Sequence, residues 1–384
     1  MKKLNVFFVL IVFINSAFLI SSCKKTDNDQ IPIEPTEAEI IENNIKAVVD
    51  SVIANTNVPG VVAAVWAPNE GVNFVYTAGV ADIETKEPLS PDMVFRIGSN
   101  TKTFVITVLL QLVDEGLISL DDHLSEYFPD FPRSDEVTIE MITNMRSGVH
   151  SYTATEEFAE IIFADPTHFW TAEEMIAISA LYPYDFDPGT NFTYSNINTI
   201  FAGRIVEIVT GASIEYNVRT RIIDQLNLLN TVYLVGGTQV PGYHANGYYI
   251  GEYDPTLPPS LEYFDVSWGG AAGCMVSTSY ELKTYVRALV EGTFLSPELQ
   301  QQRLVCHDWN PPLFAKYGMG IMEYKGFYGH GGSIFGCTSV MMHSLEKNCT
   351  IIIWFNCQIE TITPTLMLPI WVKAIYPKFI EFFI

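Results

Sequence analysis

The sequence predicts a two-part α/β (α+β) fold, in which a sheet flanked by helices is built from both ends of the chain and a mostly helical lobe is inserted between them. Three observations predict it. Strand-length runs rich in β-branched and aromatic residues cluster at 61–66, 72–77, 326–328, 338–343 and 350–356. Apolar residues at helical spacing dominate the stretch between them. Finally, 384 residues, 48% hydrophobic and 17% charged, with no internal repeat, suffice for one large core and an insertion around a single site. The sheet region is expected over 39–115 and 265–384, and the lobe over 116–264.

The N-terminus reads as targeting. Lys2 and Lys3 precede an apolar run over 4–20, broken by Asn5, Asn15 and Ser16 and ending in Ser21-Ser22-Cys23, which predicts a secretory signal over 1–22. Small residues before the cysteine and polar Lys24, Lys25, Thr26 and Asp27 after it resemble a bacterial lipobox, which implies that Cys23 becomes the acylated first residue. The alternative is an ordinary signal whose cysteine is incidental. Residues 23–38, with Pro32, Glu34 and Pro35, read as a tether. The expectation is an envelope protein, at the outer membrane, touching lipid through this anchor only.

Order begins with Ile40, Ile41, Ile45, Val48, Val49, Val52 and Ile53, whose spacing predicts a helix ending near Asn55. The runs 61–66 and 72–77 flank Pro68-Asn69-Glu70-Gly71 and predict a β-hairpin. From 99 to 115 the period is helical again, with Phe104, Val105, Val108, Leu109 and Leu112 on one face and Gly116 as the stop. Short helices are expected around 138–145, 171–182, 196–209 and 213–227, then the three late strands and a terminal helix within 362–376.

A formal net charge of -23 and a pI near 4.5 oppose extended contact with phosphate backbones, so nucleic acid is not an expected partner, while the charge by itself identifies no substrate. Besides Cys23 there are Cys274, Cys306, Cys337, Cys349 and Cys357, an odd number that forbids complete pairing and shows no metal-ligand spacing; export permits disulfides, but buried free thiols are expected for most of them. The sequence does not fix the oligomeric state.

Three segments carry groups suited to chemistry. In Ser99-Asn100-Thr101-Lys102, positions i and i+3 of a helix are neighbours, so the amine can reach the hydroxyl and, if desolvated, take its proton. The helix start adds backbone N–H groups suited to an oxyanion. The same spacing recurs at Ser21–Lys24, Ser22–Lys25 and Ser344–Lys347, and the alternative at Ser99 is an N-cap serine with a solvated lysine. Tyr194-Ser195-Asn196 supplies a phenol that acts as a base or relays a proton, and an amide that holds lysine or substrate; its alternative is a loop tyrosine beside a capping asparagine. His330-Gly331-Gly332 supplies an imidazole of positive or hydrogen-bonding character. Its glycines admit close backbone approach, and the Ser333 N–H is a second oxyanion donor; the alternative is a Gly-rich turn with a surface histidine.

Together these segments resemble the serine β-lactamase and penicillin-binding family, in the branch of class C β-lactamases, D-Ala-D-Ala carboxypeptidases and related esterases (peptidase family S12). The resemblance runs over 41–360, through FRIGSNTKTF, LLQLVDEGLISLDDHLSEYFPDFP, YSNINTIFAGRIVEIVTG, WGGAAGCMVSTSYEL and YGMGIMEYKGFYGHGGSIFGCTSVM in order. It implies a β-lactamase/transpeptidase-like fold with an antiparallel sheet. It also implies Ser99 as nucleophile, Lys102 as general base, and Tyr194 as partner base and acid. Asn196, His330, Gly332 and Ser333 would be substrate-side groups. Acyl-enzyme hydrolysis of an amide or ester in a small molecule or peptide follows, without metal or organic cofactor; the expectation is D-alanyl-D-alanine carboxypeptidase-like action on peptidoglycan-derived peptides, and the alternatives are an esterase or weak class C-like β-lactamase of the same family, or a non-turnover binding or sensor protein of the same fold. Two departures bear on carboxylate binding: Gly331 stands where the branch usually has a hydroxyl, and Met322 where some carboxypeptidases have arginine. Arg146, in Asn144-Met145-Arg146-Ser147-Gly148, is the residue that would compensate.

Overall fold

A computed structural model describes residues 34–250, 260, 262–308, 315–359 and 362–377. The expected signal, Cys23 and most of the tether lie outside the described residues. From Thr36 onward the chain forms one compact unit.

Helix α1 (Glu37–Asn55) starts at a capping box, in which the Thr36 hydroxyl accepts from the Glu39 N–H at 3.2 Å and the Glu39 carboxylate accepts from the Thr36 N–H at 2.8 Å. It buries Ile41, Ile45, Val49 and Val52, one stripe of the expected period. The hairpin follows as β1 (Gly60–Ala67) and β2 (Val72–Gly79), joined through Gly71 at φ +72. Among the described residues, six more strands of this sheet come from the other end of the chain: β3 (His307–Asp308), β4 (Lys316–Tyr317), β5 (Met322–Tyr324), β6 (Phe327–Ile334), β7 (Cys337–Ser344) and β8 (Cys349–Phe355). All pair antiparallel in the order β2-β1-β8-β7-β6-β5-β4-β3, with Val61 opposite Phe355 where the two ends meet.

Strands β1 and β8 are buried throughout because both sheet faces are covered. Alternate residues go to different cores. Val62, Ala64, Trp66, Ile352 and Trp354 face the interior shared with the lobe, while Val61, Val65, Ile351, Ile353 and Phe355 face α1 and α5 (Leu368–Ile375). On the inner side α2 (Thr101–Asp114) is buried at nearly every position and packs on α3 (Asn196–Thr210) of the lobe, while α4 (Ser279–Glu291) lies on strands β7 and β8 of the sheet.

The structure departs from the sequence reading at several elements. The stretch expected to be mostly helical also holds strands Val232–Tyr233 and Tyr248–Ile250, which pair with Met275–Ser277 and Cys357–Ile359 respectively. An additional lobe helix, Glu156–Ala164, is capped by Thr155. And β6 does not end near 328 but runs on through the His330-Gly331-Gly332 segment, which is therefore strand rather than turn.

Candidate active site

Ser99 lies in a single 3₁₀ turn, Gly98–Asn100, that leads into α2, so the helix proper begins two residues later than its spacing predicts. The turn is tied down from several sides. Gly98 has φ +53, and a Cβ there would sit 2.8 Å from the Ser333 nitrogen, so only glycine allows the turn to lie against β6. The Asn100 amide donates to the Ile97 carbonyl at 2.7 Å and to Ser339 Oγ at 2.9 Å, fastening the turn to β7.

One turn along, Lys102 is fully buried, with Nζ 3.0 Å from Ser99 Oγ and donating to the Ala272 carbonyl at 2.7 Å. Burial holds its amine well below the ordinary lysine range. The phenol of Tyr194, just ahead of α3, hydrogen-bonds with Ser99, and its ring centroid is 5.0 Å from Lys102 Nζ. Burial raises this phenol above its usual value and the bond to Ser99 draws it partly back, so Tyr194 rests as a neutral phenol.

The start of α3 is fixed by its neighbours. Ser195 Oγ donates to the Val149 carbonyl at 2.8 Å, the Asn196 N–H donates to Ser151 Oγ at 3.2 Å, and the Asn196 side-chain amide donates to Thr153 Oγ1 at 2.9 Å.

His330 closes the other side, with ring centroids 6.1 Å apart between it and Tyr194. Its Nδ1 lies 2.5 Å from the Gly331 carbonyl, which can only accept, so Nδ1 carries the proton and Nε2 accepts from the Tyr317 hydroxyl at 3.1 Å. Burial, with a smaller contribution from nearby Lys102, pushes the imidazole down to about 3. Of the two characters expected of His330, the positive one is thereby corrected: at neutral pH it is an uncharged hydrogen-bonding group.

Two chambers open on Ser99 and Ser333. The first, of about 340 Å³, is walled by Tyr152, Phe158, Phe163, Trp268 and Phe335 with Asn196 at its polar rim. The second, of about 300 Å³, holds Tyr194, His330, Met322, Thr363 and Thr365 beside Gly331 and Gly332. Ser99, Lys102, Tyr194, Asn196, His330, Gly332 and Ser333 are thus brought to one cleft from the distant segments that contained them. Tyr317, the Ala272 carbonyl, Thr153 and Thr365 were not singled out from the sequence. The first two lie inside family-like segments, whereas nothing in the sequence marks Thr365. The five cysteines from Cys274 onward are free, and four of them are buried.

Residues 42–362 match the family model described as Beta-lactamase. The chain belongs to the Beta-lactamase family. Its fold is that of the family's serine hydrolases. Among curated proteins it is similar to the D-aminopeptidase of Gluconobacter oxydans (strain 621H), 24% identical over 318 residues that make up 81% of this chain and 58% of that protein. It is likewise similar to the D-aminopeptidase of Brucella anthropi, at 26% identity over 81% of this chain and 59% of that one. The chain thus spans about three fifths of the length of these relatives. Among solved structures, the D-stereospecific amidohydrolase from Streptomyces sp. superposes with a TM-score of 0.78 at 28% identity, covering 87% of this chain and 98% of that one. The D-amino acid amidase from Ochrobactrum anthropi SV3 complexed with D-phenylalanine gives 0.76 at 26%, covering 88% and 99%.

Within this Beta-lactamase-family site, the departures noted in the sequence have physical counterparts. Met322 lines the second chamber. The Arg146 guanidinium donates to the Gly189 carbonyl and lines neither chamber, so it does not compensate for the missing arginine. A Cβ on Gly331 would come within 2.1 Å of Thr365 Oγ1, which is why no side chain stands there.

Proposed function

We propose that the protein hydrolyses an amide or ester bond through an acyl-Ser99 intermediate. The observation that carries this reading is the convergence on Ser99 Oγ of a desolvated amine 3.0 Å away and a hydrogen-bonded neutral phenol. The neutral Lys102 amine takes the Ser99 proton as Oγ attacks the substrate carbonyl. The Ser99 and Ser333 N–H groups receive the oxyanion. As the tetrahedral species collapses, the C–N or C–O bond breaks and Tyr194 passes its proton to the departing atom, recovering one from Lys102. Water then attacks the acyl group by the same route in reverse. His330, held by Tyr317, keeps Tyr194 oriented without adding charge.

The aromatic first chamber suits an apolar or aromatic acyl substituent. Names of relatives and neighbours, D-aminopeptidase, D-stereospecific amidohydrolase and D-amino acid amidase, support a D-configured amide as substrate. Among the described residues lining either chamber none is Lys or Arg, which weighs against a carboxypeptidase needing a cation for a terminal carboxylate. The test is turnover of D-phenylalanine amide, its L enantiomer, a short-chain ester, a D-Ala-D-Ala peptide and a chromogenic cephalosporin. Wild type is expected to turn over the D-amide and the ester, and Ser99→Ala to lose about a thousandfold or more. Acylation without product release would instead make the protein a sensor.

We also propose anchorage in the cell envelope through lipid on Cys23, supported by the lipobox-like sequence around it. Incorporation of labelled palmitate, lost in Cys23→Ala, tests this.

A further inference from the structure

We infer that Thr365 selects the leaving group, by accepting a hydrogen bond from a neutral donor on it, and that the second chamber rejects leaving groups ending in carboxylate. This rests on the acyl-Ser99 reading above and adds a residue and a chemical class to it.

The second chamber receives the leaving group because Tyr194, which protonates that group, lines this chamber and not the first. Beside Tyr194 and His330, strand β6 presents Gly331, whose missing side chain leaves a space that Thr365 fills: its Oγ1 would be 2.1 Å from a Cβ at 331. The hydroxyl at this point therefore comes from the segment ahead of α5 rather than from the strand. Its polarity is set. Thr365 Oγ1 donates its only proton to the Ser339 carbonyl at 3.2 Å, so lone pairs are what it offers the chamber. Lone pairs attract an N–H and repel a carboxylate. Turning the hydroxyl to serve a carboxylate would forfeit the bond to Ser339, a residue 1% exposed, and no cationic side chain lines this chamber among the described residues. A carboxamide fits where a carboxylate does not.

Two depsipeptides with the same scissile ester separate the cases: acetyl-D-alanyl-D-lactamide, whose leaving group ends in an amide, and acetyl-D-alanyl-D-lactate, whose leaving group ends in a carboxylate. The full chain is expected to prefer the lactamide in kcat/KM by about tenfold or more. Thr365→Val, nearly isosteric, should lower the lactamide-to-lactate ratio about tenfold, and Thr365→Ser should keep it within about twofold. Because the ratio is taken on one sample, a fraction of misfolded variant cancels. A wild-type preference for lactate, or an equal loss of both activities in Thr365→Val, overturns the assignment while leaving the hydrolase reading intact. Failure of wild type to turn over either ester, or unchanged turnover in Ser99→Ala, removes that reading and the assignment with it.

Discussion

Lys102 is fully buried, and no carboxylate contributes to its shift; burial alone lowers its affinity for a proton. The same burial that makes it a base makes it costly. Between its lowered folded value and 10.5 the unfolded chain holds a proton that the folded one lacks, so stability from this residue is reduced there and recovers as pH rises toward 10.5. Lys102→Met should therefore be inactive yet more stable at neutral pH by about 1–3 kcal/mol, a gain that shrinks on alkalinisation, as urea melts at several pH values would read. Activity has the matching sign. Acidification protonates Lys102, so kcat/KM should fall about tenfold per pH unit below its lowered value. His330, at about 3, lies too low to set that limb, and His330→Gln should leave its midpoint in place. For stability, His330 is neutral when folded while the unfolded imidazole protonates near 6.5, so its contribution is lost as pH falls from about 6.5 toward 3, and His330→Gln should flatten that loss.

At the level of elements, the contact between β6 and the Ser99 turn decides whether these groups meet. A Cβ on Gly332 would lie 2.1 Å from the Ile97 carbonyl oxygen and 2.7 Å from Asn100 Nδ2, one of them backbone and the other a clamp on the turn. Gly332→Ala should therefore displace the turn, costing about 1–3 kcal/mol in chemical denaturation and at least about a hundredfold in kcat. Gly326, at φ +79 with open space around it, supplies the comparison: Gly326→Ala should cost only the local backbone strain of about 1 kcal/mol. This packing also explains why β6 was read short from sequence. Gly329, Gly331 and Gly332 dilute the β-branched signal that marks a strand, and what they are for, clearance against Met341, Thr365 and Ile97, exists only after folding. Lys102 was marked less by its offset to Ser99, which recurs elsewhere in the chain, than by the family-like segment FRIGSNTKTF around it. Thr365 was not, because it enters the cleft by position alone.

Over the whole molecule, the two-ended sheet was readable because β1 and β8 are continuous apolar runs, and α1 and α2 because their stripes keep a helical period. The short strands inside the lobe were not, since pairs such as Val232–Tyr233 are defined by partners far along the chain rather than by their own pattern. The outer core formed by the sheet with α1 and α5 contains none of the residues that line the two chambers. Trp371, 1% exposed within it, predicts a loss of about 3–5 kcal/mol for Trp371→Ala in urea titration. A net charge of -23 adds self-repulsion, so moving from about 10 mM to about 0.15 M salt, which shortens the screening length from about 30 to about 8 Å, should raise the melting temperature.

The pairing of Val61 with Phe355 also makes assembly of the site wait on both ends of the chain. Until β6, β7 and β8 are in place, one edge of β1 has no neighbour and the Ser99 turn has no strand to lean on. Chains truncated before β6 would hold an inert serine and a β1 edge open to pairing with another copy.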